Sequence, residues 1–274
     1  MRCCCYCRAS RREAERQGER RHYGVGSIGN GATRSRTALR HNARPLTALP
    51  RMITVHHLDN SRSQRVLWLL EELGVPYEIR HYKRDPQTML APRELLKVHA
   101  LGKSPVISDG AVTVAESGAI IEYLVERHNG AHLVPRIGSD EHLRYRYWLH
   151  FAEGSAMSPL LLKLIFDGVE KAPMPFFVKP IARAISAKVQ ALLVAPSLKR
   201  QLDFMEAELG RSEWFAGSTF SAADIQMSFP LEAAAQRAGL DASRPRLFAF
   251  LQRIHGRAAY RRALERGGPY SFVD

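Results

Sequence analysis

Two polar segments of the chain carry side chains suited to binding and proton donation, and each stands directly before a predicted helix. The first is the loop Asn60-Ser61-Arg62-Ser63, which follows a β-branched run and precedes apolar residues at helical spacing. The second is the pair Glu116-Ser117, which ends the stretch 103–117. Hydroxyl donors and the free N–H groups of a helix N-terminus together favour a bound anion. Serines at such positions also serve as simple helix caps, so position alone leaves both roles open.

The stretch 103–117 predicts a hairpin followed by a helix. Its two β-branched runs, at 106–107 and 112–114, are separated by Asp109-Gly110, which indicates a type I′ turn because glycine accepts a positive φ. Pro105 cannot donate to a sheet ladder, so the first strand begins or bends there.

The whole segment 52–130 shows the element order β-α-β-α-β-β-α. Strands are predicted at 53–58 and 77–82, and helices at 66–73, at 92–99 and from Glu116 to about His128. The helix between the first two strands allows them to be parallel, whereas the tight turn makes the last two antiparallel.

This order resembles the glutathione-binding half of the glutathione S-transferases. The motifs are Gly-Lys-x-Pro-Val at 102–106, Glu-Ser at 116–117 and the helix sequence RVLWLLEELG at 65–74, which is similar to that of serine-type members from bacteria and fungi. The resemblance implies an α/β N-terminal thioredoxin-like domain followed by an all-α C-terminal helical domain.

The resemblance also implies roles for the residues of the hairpin stretch. Pro105 would be cis, and Ser104 would offer its backbone to the cysteinyl part of glutathione. Lys103 would pair with the glycyl carboxylate. Glu116 and Ser117 would hold the γ-glutamyl end.

Activation of glutathione requires its thiol, whose ordinary pKa is ~8.5, to ionise near neutral pH. Lowering that pKa by about two units takes ~2.7 kcal/mol, which a helix N-terminus and one hydroxyl donor can supply. Serine-type transferases place this hydroxyl six residues before the position of Val66, which is Asn60 when counted without gaps. We rank Ser61 first, because a one-residue shift brings it into place, Asn60 second through its amide, and Ser63 third.

The composition becomes helical after a linker at 132–140. A long helix from Glu141 is expected to face the loop at Ser61 and to line a hydrophobic substrate site, although aromatic residues at helical spacing are also typical of a core. Its candidate residues are Tyr145, Trp148, Phe151 and Met157. A capping box, Ser221-x-x-Asp224, predicts the start of a helix, which the resemblance implies is the central helix of this half. Further helices are predicted at 176–193, 198–209, 245–255 and 258–266.

Residues 1–51 differ from the rest in composition. They hold 12 of the 40 Lys and Arg residues, 3 of the 27 Asp and Glu residues, and all four cysteines, Cys3, Cys4, Cys5 and Cys7. We predict a disordered extension before a natural start at Met52; a transit peptide and a metal-binding cysteine cluster are the alternatives. The remainder has a net charge of +4 and no cysteine, which argues against a nucleic-acid partner, a disulfide framework and a cysteine nucleophile.

These observations predict a cytoplasmic glutathione transferase with domains at 52–131 and 141–274. The expected reaction is attack of the glutathione thiolate on a small hydrophobic electrophile, in detoxification. The resemblance implies a homodimer, and we expect no metal, membrane or nucleic acid to take part. His56 and His57 are expected to be packed residues of the first strand rather than metal ligands. A glutathione-dependent peroxidase or disulfide reductase that uses Asn60, and a non-catalytic regulatory or interaction module, are the alternative hypotheses.

Overall fold

The computed structural model describes residues 52–273. The predicted extension at 1–51, with its four cysteines, lies outside the described residues. The described part begins with a mixed sheet of four strands, in the order β2-β1-β3-β4. Their bounds are β1 Ile53–Leu58, β2 Tyr77–Tyr82, β3 Val106–Asp109 and β4 Val112–Ala115. β1 and β2 are parallel, and β3 is antiparallel to both of its neighbours, as the predicted connections require.

Helices make the longer connections in this half. Helix α1 (Ser63–Leu73) joins β1 to β2 and ends at Gly74, whose φ of 63° is accessible to glycine at little cost. The predicted helix at 92–99 is a short 3₁₀ helix, Arg93–Lys97. Helix α2 (Ser117–Arg127) follows β4.

The second half is helical. Helices α3 (Asp140–Phe151) and α4 (Met157–Lys171) are continuous through a π-helical turn at Ala152–Ala156. Helices α5 (Lys179–Val189) and α6 (Ala195–Glu208) are joined in the same way at Gln190–Val194. The remaining helices are α7 Ala222–Arg237, α8 Pro245–His255 and α9 Ala258–Gly267. The predicted fold class, a thioredoxin-like α/β domain followed by an all-helical domain, is confirmed.

One hydrophobic core runs through both halves. Helix α7 is buried over most of its length, and it begins with the predicted capping box of Ser221 and Asp224. The ring of Trp68 on α1 meets Tyr260 on α9 edge-to-face, with 5.0 Å between centroids. Because α1 begins with Ser63, the last residue of the polar loop, this packing fixes the end of the loop against the helical half.

Two local predictions were wrong. Asp109 pairs with Val112, so the hairpin loop is Gly110-Ala111, and Gly110 alone in this loop has a positive φ, at 61°. One positive φ fits a type II′ turn, whereas the predicted type I′ turn needs two. The predicted break before 198 is also absent, because Pro196 follows the π-helical turn, where the widened backbone accommodates proline without ending the helix.

The continuous helix Lys179–Glu208 is long and apolar enough to cross a membrane by length and composition, and its most apolar window is 17% buried. Buried core helices of other proteins meet the same criteria of length and composition, whereas this helix is largely exposed. Its exposed apolar side chains include Ile181, Ile185, Leu192 and Leu193. A surface of this kind is suited to a further contact.

Candidate functional site

A cavity of about 500 Å³ opens where β1 ends and α1 begins. It is closed on the other sides by the loop before β3, by the start of α2 and by Glu153 and Leu161 of the helical half. The cavity is lined by all of the predicted glutathione-binding residues and by the first-ranked thiolate donor: Ser61, Lys103, Ser104, Pro105, Glu116 and Ser117. The structure therefore brings together two segments that are more than forty residues apart in the sequence.

The loop before β3 is anchored to the sheet. The Ser104–Pro105 peptide bond is cis, and Pro105 is buried. The hydroxyl of Ser104 donates to the carbonyl oxygen of His56 in β1 at 2.9 Å. The side chain of Ser104 is therefore occupied by the sheet, and its backbone remains the part that can meet a ligand.

The three candidate thiolate donors lie in different surroundings. Ser61 lines the 500 Å³ cavity. Asn60 lines a second cavity, and its Oδ1 accepts a hydrogen bond from the backbone N–H of Ser271 at 2.8 Å. Ser63 is completely buried within the described part of the chain, with no exposed surface. Ser61 is thus the one of the three that faces the predicted ligand residues.

A chain of hydrogen bonds runs from Ser61 into the sheet. The Oγ atoms of Ser61 and Ser63 lie 2.8 Å apart, and the Ser63 backbone N–H donates to the Ser61 Oγ at 3.2 Å. The Ser63 Oγ accepts from the backbone N–H of Leu58 at 3.2 Å and lies 2.8 Å from Nδ1 of His57. Burial lowers the pKa of His57 to about 4, so this imidazole is neutral at pH 7. The N-cap residue of α1 is Arg62, with no cap hydrogen bond from its side chain, so Ser61 bonds to the first residue of the helix without being its cap.

Glu116 is held in a strained backbone conformation directly before α2. Its φ is 69° and its ψ is 121°, a region that residues other than glycine rarely adopt. Such strain costs about 1–3 kcal/mol and is found where the surrounding structure requires it. The exposed Glu116 and the buried Ser117 both line the cavity from this turn.

Arg65 is a buried residue that holds the Ser117 side chain in place. We did not predict it as a site residue from the sequence. It is completely buried, donates to the Ser117 Oγ at 2.8 Å and to the Gln226 carbonyl oxygen at 2.5 Å, and forms an ion pair with Glu153. Arg62 also pairs with Glu153, at 2.9 Å. Burial acts to raise the pKa of Glu153, but the two arginines outweigh it and lower that pKa, so the carboxylate is charged.

Arg84 fixes the polar loop and adds positive charge beside it. Its guanidinium donates to the carbonyl oxygens of Asp59 and Asn60, both at 3.2 Å, and to that of Met89 at 3.0 Å. Arg84 lines both cavities. Together with Arg62 and Lys103, it adds positive charge to a cavity that Glu116 and Glu153 also line, so the site suits a ligand with charges of both signs.

The aromatic residues expected to line the electrophile site lie elsewhere. The Trp148 ring stacks on Phe204 at 5.5 Å, Phe151 packs against Trp148 at 5.0 Å, and Tyr145 lines a separate cavity beside α2. The prediction is corrected for Tyr145, Trp148 and Phe151, because α3 turns this aromatic face into the helical core. Of the residues named from that helix, Met157 alone lies in the second cavity.

The second cavity has a volume of about 640 Å³ and adjoins the first, since Arg62, Arg84 and Leu161 line both. Its walls come from α4, from α7 and from the end of the chain. The apolar residues that line it include Met157, Leu160, Leu161, Leu164, Ile165, Phe229 and Phe272. The apolar run just after Met157 was the sequence signal that could have located it.

Comparison with known proteins gives two family matches. The model of the glutathione S-transferase N-terminal domain matches residues 50–126, and that of the C-terminal domain matches residues 166–258. The chain is 36% identical over 193 residues to glutathione S-transferase 1 of Saccharomyces cerevisiae, which covers 68% of this chain and 82% of the yeast protein.

Solved structures show the same similarity. A glutathione S-transferase from Actinobacillus pleuropneumoniae is 30% identical, with a TM-score of 0.64 over 79% of this chain and 93% of its own. A sphingomonad glutathione S-transferase, solved in complex with glutathione, is 26% identical, with a TM-score of 0.60 over 78% of this chain and 98% of its own.

Proposed function

The chain belongs to the glutathione S-transferase family and is a glutathione transferase, and we propose that Ser61 holds its glutathione as a thiolate. The observation that supports this assignment is the position of Ser61 in the cavity lined by Lys103, Glu116 and Ser117. Asn60 and Ser63 do not line that cavity in the described part of the chain.

We infer that glutathione lies along this cavity with its cysteinyl thiol at Ser61. The γ-glutamyl end is placed at Glu116 and Ser117, whose carboxylate and hydroxyl suit an ammonium and a carboxylate group. The glycyl carboxylate is placed at Lys103, which is exposed and free to adjust. The backbone of Ser104 is placed at the cysteinyl part, because its side chain already bonds to the sheet.

The thiolate is stabilised by the surroundings of Ser61. The Ser61 hydroxyl is buried at the start of α1, where helix N–H groups favour negative charge, and Arg62 and Arg84 line the same cavity. A hydrogen bond from a hydroxyl to an anion contributes about 1.5–3 kcal/mol, which lowers the thiol pKa by about one to two units. The thiol proton leaves to solvent, since the cavity is open.

The hydrophobic electrophile is placed in the 640 Å³ cavity next to Ser61. In the transfer step the thiolate sulfur forms a bond to the electrophilic carbon, and the leaving group departs with the bonding electron pair. Neither partner changes redox state, so the step requires no oxidant or reductant, and we propose that it proceeds without a metal. The apolar walls favour an aromatic or long-chain substrate over a charged one.

We place the enzyme in the cytoplasm, in detoxification, as a homodimer without a membrane or nucleic-acid partner. The small net charge of 52–274 supports the absence of nucleic acid. Exposed apolar side chains such as Leu162 of α4 and Ile181 and Ile185 of α5 offer a surface for a second copy.

The test compares the conjugation rate of wild type, Ser61→Ala and Asn60→Ala with an aromatic halide, and their reduction of a disulfide. We expect Ser61→Ala to lose roughly 10²-fold in kcat/KM for conjugation, as is usual when one donor to an anionic reaction centre is removed. Asn60→Ala is the comparison and should keep most of its kcat, and any loss should appear in the KM of the halide, because Asn60 lines the second cavity. Loss in Asn60→Ala alone, with faster disulfide reduction than conjugation in wild type, would move the role to Asn60.

A further inference from the structure

Three potential metal ligands share one face of the sheet at the end of β1. His57 lies in β1 and Asp59 is the first turn residue after it; the Asp59 N–H donates to the Tyr82 carbonyl oxygen at 3.2 Å, which continues the β1–β2 pairing as far as Asp59. His81 is paired with His57 in the parallel β1–β2 register, so the two imidazoles are cross-strand neighbours, with ring centroids 5.5 Å apart. One ligand atom from each of the three residues lies within 4.8 Å of the others.

The three side chains differ in freedom. His57 is buried and fixed, Asp59 is half-buried, and His81 is exposed. Ligand atoms around a tetrahedral zinc ion, with bonds of ~2.0–2.2 Å, are about 3.4 Å apart. Closing the cluster from its present spacing requires small rotations of Asp59 and His81, and the surface position of both allows these.

We propose that His57, Asp59 and His81 form a binding site for a divalent transition metal such as Zn²⁺, separate from the transfer site. Two imidazoles and one carboxylate suit such an ion better than Mg²⁺ or Ca²⁺, which prefer oxygen ligands. His57 ligates through Nε2, because its Nδ1 already faces the Ser63 Oγ at 2.8 Å, and the metal then replaces the hydrogen bond of the ring to the Gly267 backbone. A second hydrogen bond of this kind is the usual way to orient a metal-binding imidazole.

The metal would set the direction of the hydrogen bonds that reach Ser61. With Nε2 on the metal, Nδ1 of His57 carries the proton and donates to the Ser63 Oγ, which also accepts from the Leu58 N–H. Ser63 then has both lone pairs occupied, and its hydrogen goes to the Ser61 Oγ at 2.8 Å in preference to the Leu58 carbonyl oxygen at 3.4 Å. Ser61 accepts from the Ser63 hydroxyl and N–H, and its own hydrogen is left to point into the cavity.

The binding test is calorimetric titration of the full chain with Zn²⁺ after its cysteines have been alkylated. All four cysteines lie in the first seven residues, so alkylation removes thiol ligands without touching the cluster. We expect one site per chain, weakened at least tenfold by His81→Ala. The control is His132→Ala, another exposed histidine, which should leave binding unchanged.

A nitrogen-detected NMR measurement of the imidazole tautomer tests the coupling without glutathione. We expect the proton of His57 to be on Nδ1 when Zn²⁺ is bound to wild type. In His81→Ala, adding Zn²⁺ should leave the tautomer of His57 unchanged. The absence of binding, binding equal in His81→Ala and wild type, or a proton on Nε2 of the metal-bound form would overturn the proposal. None of these outcomes depends on Ser61 as the thiolate donor, so failure here is distinct from failure of that assignment.

Discussion

The buried ion pair below Ser117 gives a prediction with an unusual asymmetry. The Arg65 side chain is 1% exposed, whereas that of Glu153 is 32% exposed. Glu153→Gln leaves the arginine charge buried with neutral partners, among them the one oxygen of the new amide. Arg65→Met leaves a carboxylate that reaches water and still pairs with Arg62. The two ends of one ion pair should therefore differ in their effect on stability.

The expected magnitudes follow from what each variant leaves behind. Removing the partner of a buried charge costs about 3–5 kcal/mol, and the retained hydrogen bond places Glu153→Gln near the lower end, at about 3 kcal/mol. For Arg65→Met we expect about 2 kcal/mol, because the half-buried carboxylate is screened and methionine fills the space, but the Ser117 hydroxyl and the Gln226 carbonyl oxygen lose their donor. Arg62→Met, which removes a half-buried partner, is the control and should cost under about 1 kcal/mol.

The assay is equilibrium unfolding in urea, with the free energies of unfolding of the three variants compared at one pH. If Arg65→Met is as destabilising as Glu153→Gln, or more so, then the buried charge does not dominate and the reasoning is refuted. Glutathione affinity should fall in Glu153→Gln and in Arg65→Met, since each disturbs or removes the arginine that holds the Ser117 hydroxyl.

Three further changes have defined outcomes. Asp224→Ala should cost about 3 kcal/mol in thermal or urea unfolding, because it leaves the buried N–H groups of Phe215 and Ser221 without their acceptor; a cost under about 1 kcal/mol would contradict this. Burial raises the pKa of Asp224 from 3.8 to about 6, so the protonated carboxyl stabilises the fold below pH 3.8 and this stabilisation is lost as the pH rises to 6. In Asp224→Asn, the decline in the free energy of unfolding over this pH range should be smaller by up to about 3 kcal/mol. The measurement is urea unfolding from pH 4 to 7, and a slope equal to that of wild type would contradict the prediction. Glu116→Gly should be about 1 kcal/mol more stable than Glu116→Ala because glycine accepts the φ of 69°, while calorimetry should show weaker glutathione binding in both; equal stabilities would argue against strain.

The local patterns in the sequence were enough to predict the fold and the elements of the hairpin stretch. Alternation and helical spacing depend on neighbouring residues, and Lys103, Glu116 and Ser117 reach one cavity because the topology brings the ends of short elements together. Gly110 likewise predicted a turn, although not its type, which depends on the strand register.

The features of the site that we did not predict from the sequence depend on contacts between residues that are far apart in the chain. Arg65 and Glu153 are 88 positions apart and meet through the packing of α1 against the helical half. The orientation of Asn60 is set by Ser271, near the other end of the chain. The aromatic residues of α3 were misplaced because helical spacing reveals that a face is apolar, but not which neighbour covers it.

The most direct test of the central claim is the pKa of the glutathione thiol in its complex with the enzyme, measured from thiolate ultraviolet absorbance against pH. We expect a value clearly below ~8.5 in wild type and a rise of about one to two units in Ser61→Ala. Asn60→Ala should titrate like wild type. A depressed pKa that is unchanged in Ser61→Ala, or one that rises only in Asn60→Ala, would contradict the assignment of Ser61.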